Sequence, residues 1–115
     1  MHAKADTHEL VILSLIAEEP IYGYALAKRA AARSEGLVTL TPAALYPLLA
    51  RLEADKLVST SWEAVKANPD DEAAKGRRRK WYRLTAKGRK RLDQRAKAAR
   101  LFAKTIEAFL PAEGA

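Results

Sequence analysis

Cysteine is absent from the 115-residue chain. That excludes disulfide scaffolds, thiolate metal sites and cysteine nucleophiles, and it fits a reducing compartment, with the cytoplasm as the expected location. Histidine occurs only as His2 and His8, and there is no glycine-rich phosphate loop, no paired-carboxylate constellation and no metal-ligand spacing. An enzyme is therefore not expected, and neither is a cofactor or a metal. Long apolar runs are missing too. Residues 10–17 form an eight-residue run interrupted by Ser14, far short of the ~20 needed to span a bilayer. Asp6 and Glu9 make its flank acidic, and Glu18-Glu19-Pro20 offers no small-residue cleavage site. The run reads as a buried helix rather than a membrane span or signal peptide. Glycine and proline number five each and no low-complexity tract occurs, so one small domain is expected, able to fold without a metal or a disulfide.

Acidic residues are scarce in one place. Residues 76–100 hold twelve basic side chains and a single acid, Asp93, for a charge of +11, while the remainder carries nine basic and thirteen acidic residues, or −4. A basic segment on a slightly acidic domain is the footprint of a polyanion partner, because phosphate neutralisation by Lys and Arg releases condensed counterions. Nucleic acid leads, and an anionic membrane surface is the other polyanion such a face would attract.

Along the chain, Asp6 with Glu9 three residues later reads as an N-cap and capping box opening a first helix over residues 7–18. Its residues Leu10, Val11, Ile12, Leu13, Leu15 and Ile16 leave almost no polar face, so it must be covered on more than one side. After Pro20, residues 23–33 form a second helix that Gly36 ends, and residues 38–40 suggest a very short strand. Thr41-Pro42 supplies a hydroxyl N-cap and a first-turn proline for a third helix running to Asp55. Leu45, Leu48, Leu49 and Leu52 fall on one stripe of it, the core side. The opposite face holds Ala43, Pro47, Ala50, Arg51 and Ala54 with Tyr46 at its edge. That face is small enough to let another surface come close. Residues 58–63 and 80–84 have β-type composition around a polar turn containing Asn68-Pro69-Asp70-Asp71, a long hairpin, and Thr85 caps a last helix reaching Leu110.

Three helices, a hairpin and a final helix is the order of a winged helix-turn-helix domain, in which the third helix enters the major groove and the hairpin lies against the flanking backbone. The fold class is mainly α, formally α+β. Three ordered motifs sharpen this: Glu19-Pro20-Ile21-Tyr22-Gly23-Tyr24-Ala25-Leu26, Leu45-Tyr46-Pro47-Leu48-Leu49-Ala50-Arg51-Leu52-Glu53, and Arg79-Lys80-Trp81-Tyr82-Arg83-Leu84-Thr85-Ala86-Lys87-Gly88. Together they resemble the PadR family of bacterial transcriptional regulators over residues 8–110. The resemblance implies a homodimeric repressor whose third helix and wing bind a pseudo-palindromic operator. The short C-terminal part is similar to the small, single-domain branch, in which one long last helix serves dimerisation. Some members sense phenolic acids or flat aromatic drugs, so a small aromatic effector is the ligand the resemblance implies. Here the last helix offers Phe102 and Phe109 but no Trp, and Tyr22, Ala43 and Ala44 stand where the family often has His and Gly with a hydroxyl residue.

The candidate DNA-binding residues are Thr41, Ala43, Ala44, Tyr46, Pro47 and Arg51 on the third helix and Arg77, Arg78, Arg79 and Lys80 at the base of the second wing strand. Because Asp70, Asp71 and Glu72 would face phosphates, the wing tip is expected to point away from DNA. Trp62, Trp81 and Tyr82 read as hairpin and core packing. On the last helix, Leu92, Ala96, Ala99, Ala103, Ile106 and Leu110 recur by four and three. That is an a/d seam longer than so small a core can cover, and with Phe102 it forms the expected dimer interface. Residues 1–84 are then the DNA-binding domain and 85–115 the dimerisation helix and tail, in one compact unit. The competing reading is a non-regulatory adaptor whose basic face binds RNA or anionic lipid.

Overall fold

In a computed structural model, residues 4–64 and 78–114 are described. They form α1 (Lys4–Glu18), β1 (Ile21–Tyr22), α2 (Gly23–Arg33), α3 (Pro42–Ala54), β2 (Val58–Ala64), β3 (Arg78–Leu84) and α4 (Ala86–Glu107). The expected wing turn with its acidic residues, and Arg77, lie outside the described residues. The three strands make one antiparallel sheet in the order β1-β3-β2, with Ile21 opposite Tyr82 and Val58 opposite Leu84.

The predicted core stripe of α3 is buried as a set, Leu45, Leu48, Leu49 and Leu52, against Ile12, Leu13, Leu15 and Ile16 of α1 and Leu26 and Ala30 of α2. Leu57, Val58 and Tyr82 close the core on the sheet side and Leu92 on the α4 side. Local chemistry fixes the helix ends. Thr41 Oγ1 accepts from the Ala44 N–H at 3.2 Å, and Thr85 Oγ1 accepts from the Gly88 N–H at 3.0 Å, each satisfying a donor that the helix leaves open. Thr85 also donates toward the carbonyls of Lys56 and Leu57, at 2.7 and 3.0 Å, tying the start of α4 to the turn after α3. That turn is a Schellman motif: Leu57 N–H bonds to Leu52 O at 2.9 Å and Lys56 N–H to Glu53 O at 3.0 Å, with Lys56 at φ +62°. The end of α2 repeats it with Gly36 N–H to Ala31 O at 2.8 Å and Glu35 at φ +54°.

Three expectations need correction. The first helix begins at Lys4 rather than after Asp6, so Asp6 sits inside the first turn, where its carboxylate is 3.4 Å from Arg95. Residues 38–40 form no strand; Leu40 is buried as a core plug, and the third strand is instead Ile21–Tyr22, which exists only because β3 offers it an edge. Gly36 does stand at the end of α2 as expected, itself at φ +84°, one place after the left-handed Glu35. Finally, α4 ends at Glu107 with Ala108 as its C-cap, three residues short of Leu110.

An ionic cluster joins α1 to α4. The Glu9 carboxylate is only 5% exposed; Arg91 donates to its Oε1 at 3.3 Å, and Arg95 Nε lies 2.7 Å from its Oε2 without the alignment of a hydrogen bond. Glu18 receives both Arg33 guanidinium arms, which hold its carboxyl below the usual range.

Candidate nucleic-acid interface

The outward face of α3 follows from the burial of its leucines: Thr41, Ala43, Tyr46, Pro47, Ala50 and Arg51 are exposed and Ala44 is half-buried. Pro47, lacking an N–H, leaves the Ala43 carbonyl without its helical donor on this face. The face runs between two hollows. One, of about 420 Å³, is lined by His8, Thr39, Thr41, Ala44, Pro47, Leu48 and Arg51. The other is a cleft of about 710 Å³ between α3, the start of α2 and the sheet, lined by Tyr22, Gly23, Tyr24, Tyr46, Ala50, Trp62, Arg78, Arg79, Lys80 and Tyr82. Six of the expected DNA-facing residues therefore sit on one helix face, and Arg78, Arg79 and Lys80 stand at the cleft beside it.

Gly23 shapes this cleft. A Cβ there would stand 3.2 Å from Tyr46 Cε1, so the missing side chain lets the Tyr46 ring lie against the first turn of α2. Tyr46 remains 49% exposed.

The basic residues differ in their freedom. Arg51 and Arg78 have no ion-pair partner among the described residues. Arg79 lies over the Tyr22 ring at 4.8 Å, and Tyr22 meets Trp81 edge-on at 5.3 Å and 73°. Trp81 is fixed in turn by donating Nε1–H to Glu63 Oε2 at 2.6 Å. Such stacking orients a guanidinium while leaving its charge and its donors available. Lys80, by contrast, reaches Glu53 Oε1 at 2.8 Å, while Glu53 Oε2 accepts from Thr60 Oγ1 at 2.7 Å. The Lys80 ammonium first and the Thr60 hydroxyl second hold the Glu53 carboxyl below its ordinary value, and Glu53 holds the Lys80 ammonium above its own. Burial raises the Tyr82 phenol.

Sequence reasoning missed Tyr22, Tyr24 and Trp62 as cleft walls. Trp62, expected to pack, is 60% exposed, because on β2 it shares a face with Val58 and Thr60 but lies beyond the reach of the core. Its cross-strand neighbour Lys80 sits 5.6 Å from its ring. The pairing of Trp62 with Lys80 is the available signal, hidden until the hairpin register is known.

The expected dimer seam divides along α4. Leu92 belongs to the chain's own core and Ala96 and Ala99 are half-buried, whereas Phe102, Ala103, Ile106 and Leu110 are exposed. Leu101 and Phe109 are exposed beside them, Phe109 at 81%. None of the described helices is long and apolar enough to cross a membrane.

Comparison with known proteins agrees with this geometry. A transcriptional regulator from Clostridium thermocellum superposes with a TM-score of 0.76 at 27% identity, covering 92% of this chain and 95% of that one. A PadR-like transcriptional regulator from Bacillus cereus gives 0.73 at 27% identity, covering 93% and 94%. In sequence, an uncharacterized 37.1 kDa protein in a transposon of Streptomyces fradiae is 36% identical over 111 residues, which are 96% of this chain. The chain spans 28% of the length of that curated relative. The family model for the transcriptional regulator PadR-like family matches residues 12–94, from the core of α1 through the wing strands into the first half of α4. With that match over most of the chain, and with its winged-helix fold shared with structural neighbours over nine-tenths of each chain, this chain belongs to the PadR-like family of transcriptional regulators.

Proposed function

We propose that the chain acts as a homodimeric repressor that binds a pseudo-palindromic operator, with α3 in the major groove and the base of β3 against the adjoining phosphates. One observation carries the reading: the exposed, small-residue face of α3 stands beside a cleft walled by tyrosines and by Arg78 and Arg79. A helix whose outer face carries Ala43, Pro47 and Ala50 can approach a groove ~12 Å wide closely. Tyrosine hydroxyls and guanidinium groups beside it match the sugar-phosphate wall of that groove. Few hydrogen-bonding side chains face outward on α3, which supports a large share of selectivity from DNA shape. Membership of a family of transcriptional regulators supports duplex DNA over RNA or lipid as the polyanion, and regulation over catalysis.

In this reading residues 1–84 form the DNA-binding part and 85–115 the dimerisation part. Support for the latter is the apolar stretch of Ala103, Ile106 and Leu110, which is exposed on the single chain. Two-fold symmetry would present two recognition helices to two half-sites. The test is a band-shift assay with a duplex recovered by the wild-type protein from genomic fragments. A shift that survives excess random duplex is expected. A shift abolished equally by random duplex or by RNA overturns the reading.

A further inference from the structure

Arg78, Arg79 and Lys80 are adjacent and each carries one positive charge, yet Lys80 is engaged differently. Its ammonium is 2.8 Å from Glu53 Oε1, near the C-terminus of α3, and the second oxygen of that carboxylate accepts from Thr60 on β2. One carboxylate thus holds both strands of the hairpin to the recognition helix, across separations of 7 and 27 residues. The turn between α3 and β2 is itself pinned, by the Schellman bonds of Lys56 and Leu57 and by Thr85, and Leu57 and Val58 are buried. The play left to the hairpin is a hinge beyond Val58, where the carboxylate of Glu53 is what ties Thr60 and Lys80 to the end of α3, and opening it would carry the strands away from α3 and alter the cleft where DNA is proposed to sit.

We propose that the Glu53–Thr60–Lys80 node is a positioning device: it fixes α3 at a set angle to both hairpin strands, it withholds Lys80 from the phosphates, and operator selectivity depends on it. The inference rests on the reading of this face as DNA-binding. Non-specific affinity needs only the local density of cations, which a hinge motion leaves intact. Specific binding needs helix and wing to meet their targets together, within about 0.5 Å and 10–20° of the productive arrangement. Loss of the node should therefore strike selectivity and spare the salt dependence.

The experiment uses the full chain, the duplex selected by the wild-type protein, and a random-sequence duplex of equal length. The double variant Glu53→Leu with Lys80→Met removes both bonds of the node at constant net charge and leaves no orphan ion. Its preference for the selected duplex should fall about tenfold, while the slope of log K against log salt stays at the wild-type value. A slope shallower by ~0.9 would show that Lys80 neutralises a phosphate, and would overturn the proposal. So would an unchanged preference accompanied only by a lower melting temperature, the mark of a purely structural tie. Thr60→Val, which deletes one hydroxyl and no charge, carries the test if the double variant does not fold: about threefold loss of preference is expected, and none overturns the idea. A wild-type protein that shows no preference for its selected duplex overturns the functional reading itself, and a discriminating wild type with an equally discriminating double variant overturns the positioning role alone.

Discussion

Single residues decide how tightly the elements close. Gly88 lies in the first turn of α4 directly against the turn after α3, where a Cβ would fall 2.0 Å from the Leu57 carbonyl oxygen. In an open helix, Gly→Ala stabilises by up to ~1 kcal/mol. Here the sign should reverse, with Gly88→Ala costing ~3 kcal/mol through overpacking against an unyielding backbone, read as a lower midpoint in urea unfolding. A more stable variant would mean that α4 does not rest on this turn. Lys56 is the opposite case: an exposed residue held at φ +62° at the Schellman position of α3. A left-handed backbone costs a side-chain-bearing residue ~1–2 kcal/mol, and glycine recovers most of that less its own chain entropy. Lys56→Gly should therefore stabilise by ~1 kcal/mol in the same assay, without altering DNA binding.

At the scale of elements, the hairpin is read as an electrostatic arm. Removing the charge of Arg78 and Arg79 together should weaken binding to selected and random duplexes alike and flatten log K against log salt by ~0.9 for each phosphate left unneutralised, measured by fluorescence anisotropy across a salt series. An unchanged slope would place the phosphate-binding cations elsewhere. The helices of this fold are legible in the sequence because their signals are local: Thr41-Pro42 and Thr85 announce starts, and the leucine spacing of α3 announces its buried side. What stays hidden depends on pairing over distance. Ile21–Tyr22 is a strand only through β3, some sixty residues on. Glu53 reads as an ordinary surface acid until the fold brings Thr60 and Lys80 to its two oxygens. The buried Glu9 reads as a capping residue because its partners, Arg91 and Arg95, lie at the other end of the sequence. For the candidate interface, the α3 face can be read directly from periodicity, whereas the aromatic wall opposite it, Tyr22, Tyr24 and Trp62, comes into view only with the sheet.

At the scale of the whole molecule, the chain is elongated, 61 × 33 × 23 Å, and from Arg100 onward every described residue of α4 and the tail is exposed. Because Ile106 and Leu110 are not part of the chain's own core, replacing both by Asp should leave each subunit folded while placing uncompensated charge in the proposed seam. Light scattering should then report one chain in place of two, and the selected duplex should lose its advantage over random DNA. A wild-type mass of one chain, or a double variant that still pairs, would put the interface elsewhere. If two such chains are joined through these projecting segments, α4 becomes a gauge. The separation of the recognition helices is then set by a rod that touches no base, at ~1.5 Å for each residue and ~5.4 Å for each turn. Half-sites lie one DNA turn, ~34 Å, apart or a multiple of it, so lengthening or shortening this rod would retune the permitted spacing between half-sites while leaving the sequence read at each of them untouched.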